Sequence, residues 1–345
     1  MLNTSQKIHS EIIYLEKLSE AQIDIENSIL FYDEVLLENK KIKNFIENFP
    51  YKISLTAGEE QKNFEAIARL ASKLVELTQV MQNSKPQFVC IGGGSLGDSV
   101  GFLASIYRRG CDLVQVPSTW LAAIDSSHGG KTAINFGASK NQFGSFHFPK
   151  AVYLIKELLL ENPPVLLKDA YSEILKIFLL KGEMPAGHVH GQSLSADDLF
   201  FNLPEAVAGK YSFVEKDPFE KTNIRKALNL GHSFGHAVES HYGFSHGTSV
   251  GIGLVFCLRF SRNLNEALLN HLSCLYLTEL TQIREKPLDS EKLKILFQKD
   301  KKSFNKDNID FVSLPEIGSY EVGSVPISSL VNYFNTDFLE FLETL

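Results

Sequence analysis

The chain is poor in cysteine, methionine and tryptophan, with four, three and one in 345 residues. Cys90, Cys111, Cys257 and Cys274 show no CxxC pairing and sit in apolar contexts, so they are predicted to be buried thiols of a reducing compartment. An excess of positive charge is also missing. The 34 Lys and Arg against 41 Asp and Glu leave a net charge of −7, which excludes a general nucleic-acid binder held by bulk charge. No apolar run approaches the roughly 20 residues of a membrane helix, and the longest candidates, such as Gly251–Leu258, are too short. Residues 1–7 lack the apolar stretch of a secretory signal, so a cytoplasmic location is expected. There is no internal repeat and no low-complexity tract. What is present is ordinary globular composition, 44% apolar and 22% charged, in a length that predicts two domains. An enzyme with neither a membrane nor a nucleic-acid partner fits these bounds.

The first half alternates strand-like and helix-like segments. Ser28–Tyr32, Tyr51–Leu55, Phe88–Ile91 and Leu113–Val116 read as strands. A Lys- and Glu-rich stretch through Asn48 reads as a helix, as does Phe64–Leu77, whose Ile67, Leu70, Leu74 and Leu77 recur at helical spacing. Such alternation predicts a parallel α/β sheet with covered faces. After Asn162-Pro163-Pro164, where consecutive prolines break either element type, the pattern turns helical. Helices are predicted over Tyr171–Leu180, Ala227–Tyr242, Ser249–Asn263, Glu266–Leu280 and Glu291–Asp300, with a loop over Gly182–Ser195.

The strand candidate Phe88–Ile91 runs into Gly92-Gly93-Gly94-Ser95-Leu96-Gly97-Asp98, and a helix is expected through Ser105. Gly92, Gly94 and Gly97 satisfy G-x-G-x-x-G, a spacing in which close backbone approach and a helix N-terminus favour phosphate. The match to the dinucleotide fingerprint is incomplete. That motif belongs on the first βα turn, yet strand candidates lie upstream, and Asp112 begins a strand instead of ending one. A turn needing glycine only for positive φ is the competing reading. Phosphate or dinucleotide binding is favoured.

Downstream, Arg109, Ser118, Thr119, Asp125, Lys131, Lys140 and Asn141 lie among small residues and glycines. The two lysines and the amide offer donors to an anion, whereas a solvated loop would account for only one lysine at a time. The metal signal lies further on. His232 and His236 are spaced i,i+4 on a predicted helix, and His246 opens the next helical run. With a carboxylate, these histidines suit a zinc site that keeps an open position. No Glu follows His232, which rules out the HExxH arrangement. Histidines that cap helices or line a core are the plainer alternative. Glu173 favours the metal, because it sits on an otherwise apolar helix three residues before Lys176, and buried charge needs a partner. His188 and His190, among Pro185, Gly187 and Gly191, read as a surface loop.

Together these segments resemble the 3-dehydroquinate synthase family, the NAD- and zinc-dependent sugar phosphate cyclases of the shikimate pathway. The resemblance runs from about Asp33 to Gly318 and is densest at 92–149 and 225–253. It implies a Rossmann-like NAD-binding α/β domain over 1–162, an all-α metal- and substrate-binding domain over 163–345, and a homodimer. It implies NAD contacts at Asp33, Glu59, Lys62, Gly92, Gly93, Gly94, Asp98, Ser118 and Thr119. Zn²⁺, with Co²⁺ as the alternative, is implied on Glu173, His232 and His246. Asp125, Lys131, Lys140, Asn141, Lys176, Lys210, Arg225, Asn229 and His236 match the family's substrate pocket. Arg109 matches an arginine that reaches a neighbouring subunit's site, and Lys301 or Lys302 a further phosphate-binding lysine.

The reaction so implied converts 3-deoxy-D-arabino-heptulosonate 7-phosphate to 3-dehydroquinate and phosphate. It proceeds by transient oxidation with NAD⁺, β-elimination, reduction and aldol cyclisation. Departures from the family pattern are His128 for a usual Val or Ile, Trp120 for Leu, Glu161 for a frequent Thr, Thr248 for Glu, and a shortened segment 173–210. Two alternatives stand beside the main reading. One is a cyclase acting on sedoheptulose 7-phosphate or glucose 6-phosphate, against which the retained Asn229 argues. The other is a catalytically silent NAD- or metal-binding paralogue.

Overall fold

In the computed structural model, which describes residues 9–56, 58–81, 85–137, 139–187, 194–262, 266–299 and 307–345, the chain divides into two units, Met1–Pro163 and Pro164–Leu345. The first unit carries strands β1 (Glu11–Leu15), β2 (Ser28–Asp33), β3 (Lys52–Leu55), β4 (Gln87–Gly92), β5 (Leu113–Pro117), β6 (Lys131–Phe136), β7 (Ser139–Phe146) and β8 (Ala151–Ile155). Six of them pair in parallel in the order β1-β8-β5-β4-β2-β3, while β6 and β7 form a separate antiparallel hairpin. Helices α1 (Lys40–Glu47), α2 (Phe64–Val80), α3 (Gly94–Ile106) and the short α4 (Lys156–Leu159) complete the unit.

Period-two alternation divides each central strand between two cores. Ile29, Phe31, Phe88, Cys90 and Leu113 pack with Leu70 and Leu74 of α2 and Val100 and Leu103 of α3. Leu30, Tyr32, Val89, Ile91, Val114 and Val116 pack with Ile42 and Ile46 of α1 and Leu158 of α4. Burial on two faces is why these strands read as continuous apolar runs.

The strand order reverses between β2 and β4: β3 lies outside β2 in one direction, and β5, β8 and β1 lie beyond β4 in the other. Open α/β sheets bind ligands at the carboxyl ends of the strands flanking such a switch point. Here those ends are level, because Tyr32 pairs with Ile91, Asp33 with Leu55 and Gly92 with Pro117.

The second unit consists of α5 (Val165–Lys181), α6 (Ala196–Val214), α7 (His232–Tyr242), α8 (His246–Phe260), α9 (Glu266–Glu285), α10 (Ser290–Lys299), α11 (Ile327–Tyr333) and α12 (Leu339–Glu343). It is not all-α. Strands β9 (Asn308–Glu316) and β10 (Ser319–Pro326) form an antiparallel hairpin that turns at Gly318 (φ 92°). Phe234, Phe256, Phe334 and Phe338 form its aromatic centre, with Phe234 and Phe256 stacked at 4.1 Å between centroids.

Glycines set the spacing around α8. A Cβ at Gly253 would lie 1.8 Å from the Gly231 carbonyl oxygen, one at Gly251 2.2 Å from the Tyr276 ring, and one at Gly247 2.3 Å from the Asp169 carbonyl oxygen. Gly231 itself is left-handed at φ 81° and starts α7 one residue later, so the expected continuous helix over Ala227–Tyr242 is broken there. Cys90, Cys111 and Cys257 are buried, but Cys274 is exposed on α9, contrary to its expected burial, because it falls on the outer face of that amphipathic helix. The loop reading of His188 and His190 lies outside the described residues.

Replacing Gly253 by Ala should lower the unfolding free energy by roughly 3 kcal/mol in chemical denaturation, since the new methyl meets backbone rather than a yielding side chain. Gly323→Ala, whose Cβ meets nothing within 4 Å, is the near-neutral control. Equal effects at the two sites would contradict the close approach of Gly231 and α8.

Candidate active site

In the first unit, the residues expected at a nucleotide gather at the carboxyl ends of β2 to β5. Asp33 ends β2 and caps the following turn by accepting from Val35 N at 3.3 Å. Glu59 and Lys62 follow β3, Gly92–Gly94 follow β4, and Ser118 and Thr119 follow β5, where Ser118 N donates to Gly92 O at 2.9 Å. None of Gly92, Gly93, Gly94 or Gly97 has positive φ, so the conformational explanation of these glycines fails. The reason is space. A Cβ at Gly94 would lie 2.8 Å from Ser126 Oγ, one at Gly93 3.3 Å from Thr119 Cγ2, and one at Gly97 3.1 Å from Gln115 Oε1. The bare backbone opens the N-terminus of the 13-residue α3, where unpaired N–H groups and the helix dipole suit a diphosphate. A cavity lined by Glu34, Thr56, Gly58, Arg69, Lys73 and Ser95 adjoins it.

Lys62 is the hub of this unit's polar residues. Its buried ammonium reaches Asp98 Oδ2 at 2.6 Å, donates to Asn141 Oδ1 at 2.6 Å and lies 3.9 Å from Glu59 Oε1. Asn135, which sequence reasoning missed, ties the same groups from β6. Its side-chain amide donates to Glu59 Oε1 at 2.8 Å, its Oδ1 accepts from Asn141 N at 2.8 Å, and its own N–H donates to Lys62 O at 2.7 Å. Asn141 thus keeps a left-handed backbone (φ 53°) that asparagine tolerates. The signal for Asn135 was the alternation of Lys131–Phe136, which is a strand and not a loop. Burial is the main influence on Asp98 and pushes its carboxyl up to about 6 against the opposing pull of Lys62.

In the second unit, α5 buries Glu173 and Lys176 three residues apart, each with a side chain only 2% exposed, and they pair through Glu173 Oε2. The other oxygen, Oε1, is buried without a hydrogen-bond partner. It faces His232 Nε2 at 3.7 Å and His246 Nε2 at 3.9 Å, too far for hydrogen bonds. The imidazoles are already oriented. His232 Nδ1 donates to Leu230 O at 3.2 Å, and His246 Nδ1 to Glu239 Oε2 at 3.0 Å, so each Nε2 presents a lone pair. Burial, then the charge of Lys176, holds His232 well below the ordinary histidine value, which keeps it neutral. Ligands about 2.1 Å from a tetrahedral zinc lie roughly 3.4 Å apart, close to these spacings. The donor set fits a divalent cation. Among the described residues, a second group within 4.8 Å joins His236, Glu239 and His246.

Other expected residues are spread through the two units. Lys210 on α6 and Arg225 are buried. Arg225 donates to Pro218 O at 3.1 Å, and its loop is organised by buried Asp217, which accepts from the backbone of Lys221, Thr222 and Arg225. Asn229 is exposed at the end of the turn before Gly231, and His236 lies one helical turn after His232 with ring centroids 5.5 Å apart. Asp125 lies in a π-helical turn, Ala122–Ser126, and Lys131 and Lys140 are exposed on β6 and β7. Arg109 is exposed with a left-handed backbone (φ 66°), as is Arg108 (φ 46°). Buried His128 returns its Nε2 to Ala123 O at 2.8 Å, a packing role within its own turn. Lys301 and Lys302 lie outside the described residues.

The family model for the 3-dehydroquinate synthase N-terminal domain matches residues 52–167, and that for its C-terminal domain matches 170–303. A 3-dehydroquinate synthase of Staphylococcus haemolyticus is 34% identical over 351 residues, covering 96% of each chain. The chain belongs to the 3-dehydroquinate synthase family. A relative of that name from Caulobacter vibrioides is 41% identical over 223 residues, 61% of this chain, and the match spans only 59% of the relative's length. Among solved structures, the 2-epi-5-epi-valiolone synthase of Streptomyces hygroscopicus subsp. jinggangensis, with NAD⁺ and Zn²⁺ bound, shares the fold at a TM-score of 0.77, 18% identity and 99% coverage of each chain.

The raised carboxyl of Asp98 gives this family member a pH signature. A carboxyl whose folded pKa exceeds its unfolded value contributes stability at low pH that is lost as pH rises, here through about 6. Denaturation of the wild type and Asp98→Asn between pH 4 and 7 should show the variant gaining relative stability with rising pH, on the order of 3 kcal/mol across the range. A difference that stays flat with pH would show that Asp98 titrates as an ordinary aspartate.

Proposed function

We propose that this chain converts 3-deoxy-D-arabino-heptulosonate 7-phosphate to 3-dehydroquinate and phosphate, using NAD⁺ catalytically and a divalent metal ion, Zn²⁺ or alternatively Co²⁺. The observation that carries the reading is the unpartnered buried oxygen of Glu173 facing two oriented, lone-pair-bearing histidine nitrogens in a member of this family. Glu173, His232 and His246 would hold the metal. Gly92–Gly94 and the start of α3, with Asp33, Glu59, Lys62, Asp98, Ser118 and Thr119 around them, would hold the nucleotide. Once bound, the two groups supply a Lewis acid for an alcohol oxygen and a hydride acceptor that is regenerated within the cycle.

The rest falls to the chain's own side chains. Lys176 pairs with Glu173 Oε2 and offsets part of the cost of burying that carboxylate. His236, beside His232 and His246, and Asp125 are assigned to proton transfer. Lys131, Lys140 and Asn141 in the first unit, and Lys210, Arg225 and Asn229 in the second, are assigned to the substrate's phosphate, carboxylate and hydroxyls, since charge-assisted bonds to anions are the strong ones. Arg109, exposed on the first unit, is assigned to the site of a second copy in a homodimer.

Phosphate release from this heptulosonate phosphate, with catalytic NAD⁺ and with or without a chelator, tests the reading. Chelator-sensitive release without net NADH is expected, and Glu173→Gln or His246→Ala should lower it at least about 100-fold, the upper end of what changes outside the ligand shell cost. Release from sedoheptulose 7-phosphate or glucose 6-phosphate instead would reassign the substrate. No release from any of the three by metal-replete protein would point to a silent paralogue.

A further inference from the structure

We propose that Asp169 is a positioning residue that seats His246 for the metal, an inference that rests on the metal reading above. Asp169 is buried on α5 four residues, about one turn, before Glu173. Its Oδ1 accepts from Thr248 N at 2.9 Å, from Thr248 Oγ1 at 2.9 Å and from Ser245 Oγ at 2.5 Å. Ser245 is the residue that should cap α8, yet its hydroxyl makes no bond to its own helix and donates to Asp169 instead. The cap is therefore supplied from a different helix. A carboxylate there meets an otherwise orphaned amide and the positive end of a 15-residue helix dipole.

The effect on His246 is specific. The residues around it, 245, 247 and 248, are each held against Asp169, the middle one by backbone contact so close that a Cβ on Gly247 would lie 2.3 Å from Asp169 O. His246 is the first residue of α8, so its Cα is fixed relative to the helix that carries Glu173. Glu239 then sets the ring through Nδ1, and Nε2 faces Glu173 Oε1 at 3.9 Å. Asp169 places the backbone, and Glu239 turns the imidazole. Thr248 is the α8 residue that meets this carboxylate through both its N–H and its hydroxyl.

The test compares wild type, Asp169→Ala, Asp169→Asn and Glu173→Gln by three readouts: Zn²⁺ affinity in chelator competition, the visible spectrum of the Co²⁺ form, and thermal unfolding of metal-free protein. Asp169→Ala should weaken Zn²⁺ binding about 10- to 100-fold and alter the Co²⁺ spectrum, as loss of an outer partner of a ligand does. Asp169→Asn, which keeps an acceptor for Thr248 N, should recover most of the affinity. Unchanged affinity and spectrum in Asp169→Ala would overturn the proposal, even if the unfolding temperature fell. Should that variant not fold, Thr248→Val removes a single bond to the same carboxylate. A weakening of about five-fold would support the proposal, and none would overturn it. Wild type binding Zn²⁺ no better than Glu173→Gln would bring down the metal reading and this inference together. Tight wild-type binding that Asp169→Ala leaves intact would bring down this inference alone.

Discussion

A carboxylate buried to 2% exposure has to be answered by positive charge, and the second unit is organised around that requirement at Glu173. Lys176 answers one oxygen from the same helix. The other faces the Nε2 atoms of two imidazoles, and bringing these within 4 Å of it sets the backbone geometry nearby. Gly231 turns left-handed so that His232 can begin α7, and Gly253 gives up its side chain so that α8 can lie against that turn. Gly247 does the same where α8 meets α5. The glycine content of α8, costly to an isolated helix, follows from where its first residue must stand.

The first unit meets a different constraint, access to backbone. A nucleotide diphosphate is recognised by N–H groups at a helix start, and side chains there stand in the way. Glycine at 92, 93, 94 and 97 is therefore a matter of volume: Leu96 of α3 takes the space beside Gly92, and residues of β5 and the turns after it take the space beside the other three. The turn follows the fourth strand because the sheet reverses order between β2 and β4, and the first-turn placement of the dinucleotide fingerprint does not transfer to this topology.

Elements with strong periodicity or full burial were legible in the sequence: β2, β4, β5, α2 and α5 coincide with apolar runs or helical spacing. Those hidden from it have physical reasons. Helix α6 carries Pro204 inside, β8 is a five-residue apolar run that periodicity cannot assign, and in the β6–β7 hairpin only β6 alternates while β7 is almost wholly solvent-facing. The histidine pair was legible because i,i+4 spacing is local. The choice of His232 and His246 over His236 came from the resemblance and not from spacing, since it depends on which ring nitrogens approach a carboxylate on another helix. Asn135 was announced only as a member of an alternating strand, and Glu239, Asp169 and Asp217 left no motif, since they act on an imidazole of the next helix, on partners 76 and 79 residues away, and on backbone amides.

The Lys62 network changes how the first unit's residues should be grouped. Resemblance divides them into cofactor contacts, Glu59, Lys62 and Asp98, and a substrate contact, Asn141. Physically they are one assembly. A single buried ammonium is shared between Asp98 and Asn141, and one asparagine, Asn135, fixes Glu59 and Asn141 from opposite ends of its amide. An ammonium has three protons to distribute, so any ligand oxygen that takes one of them alters what remains for the other partners. Because the ammonium itself is buried, solvent screens that redistribution only weakly. Asp98 on α3 and Asn141 on β7 are therefore linked through Lys62, and a substitution at any one member acts on its neighbours as well as on itself.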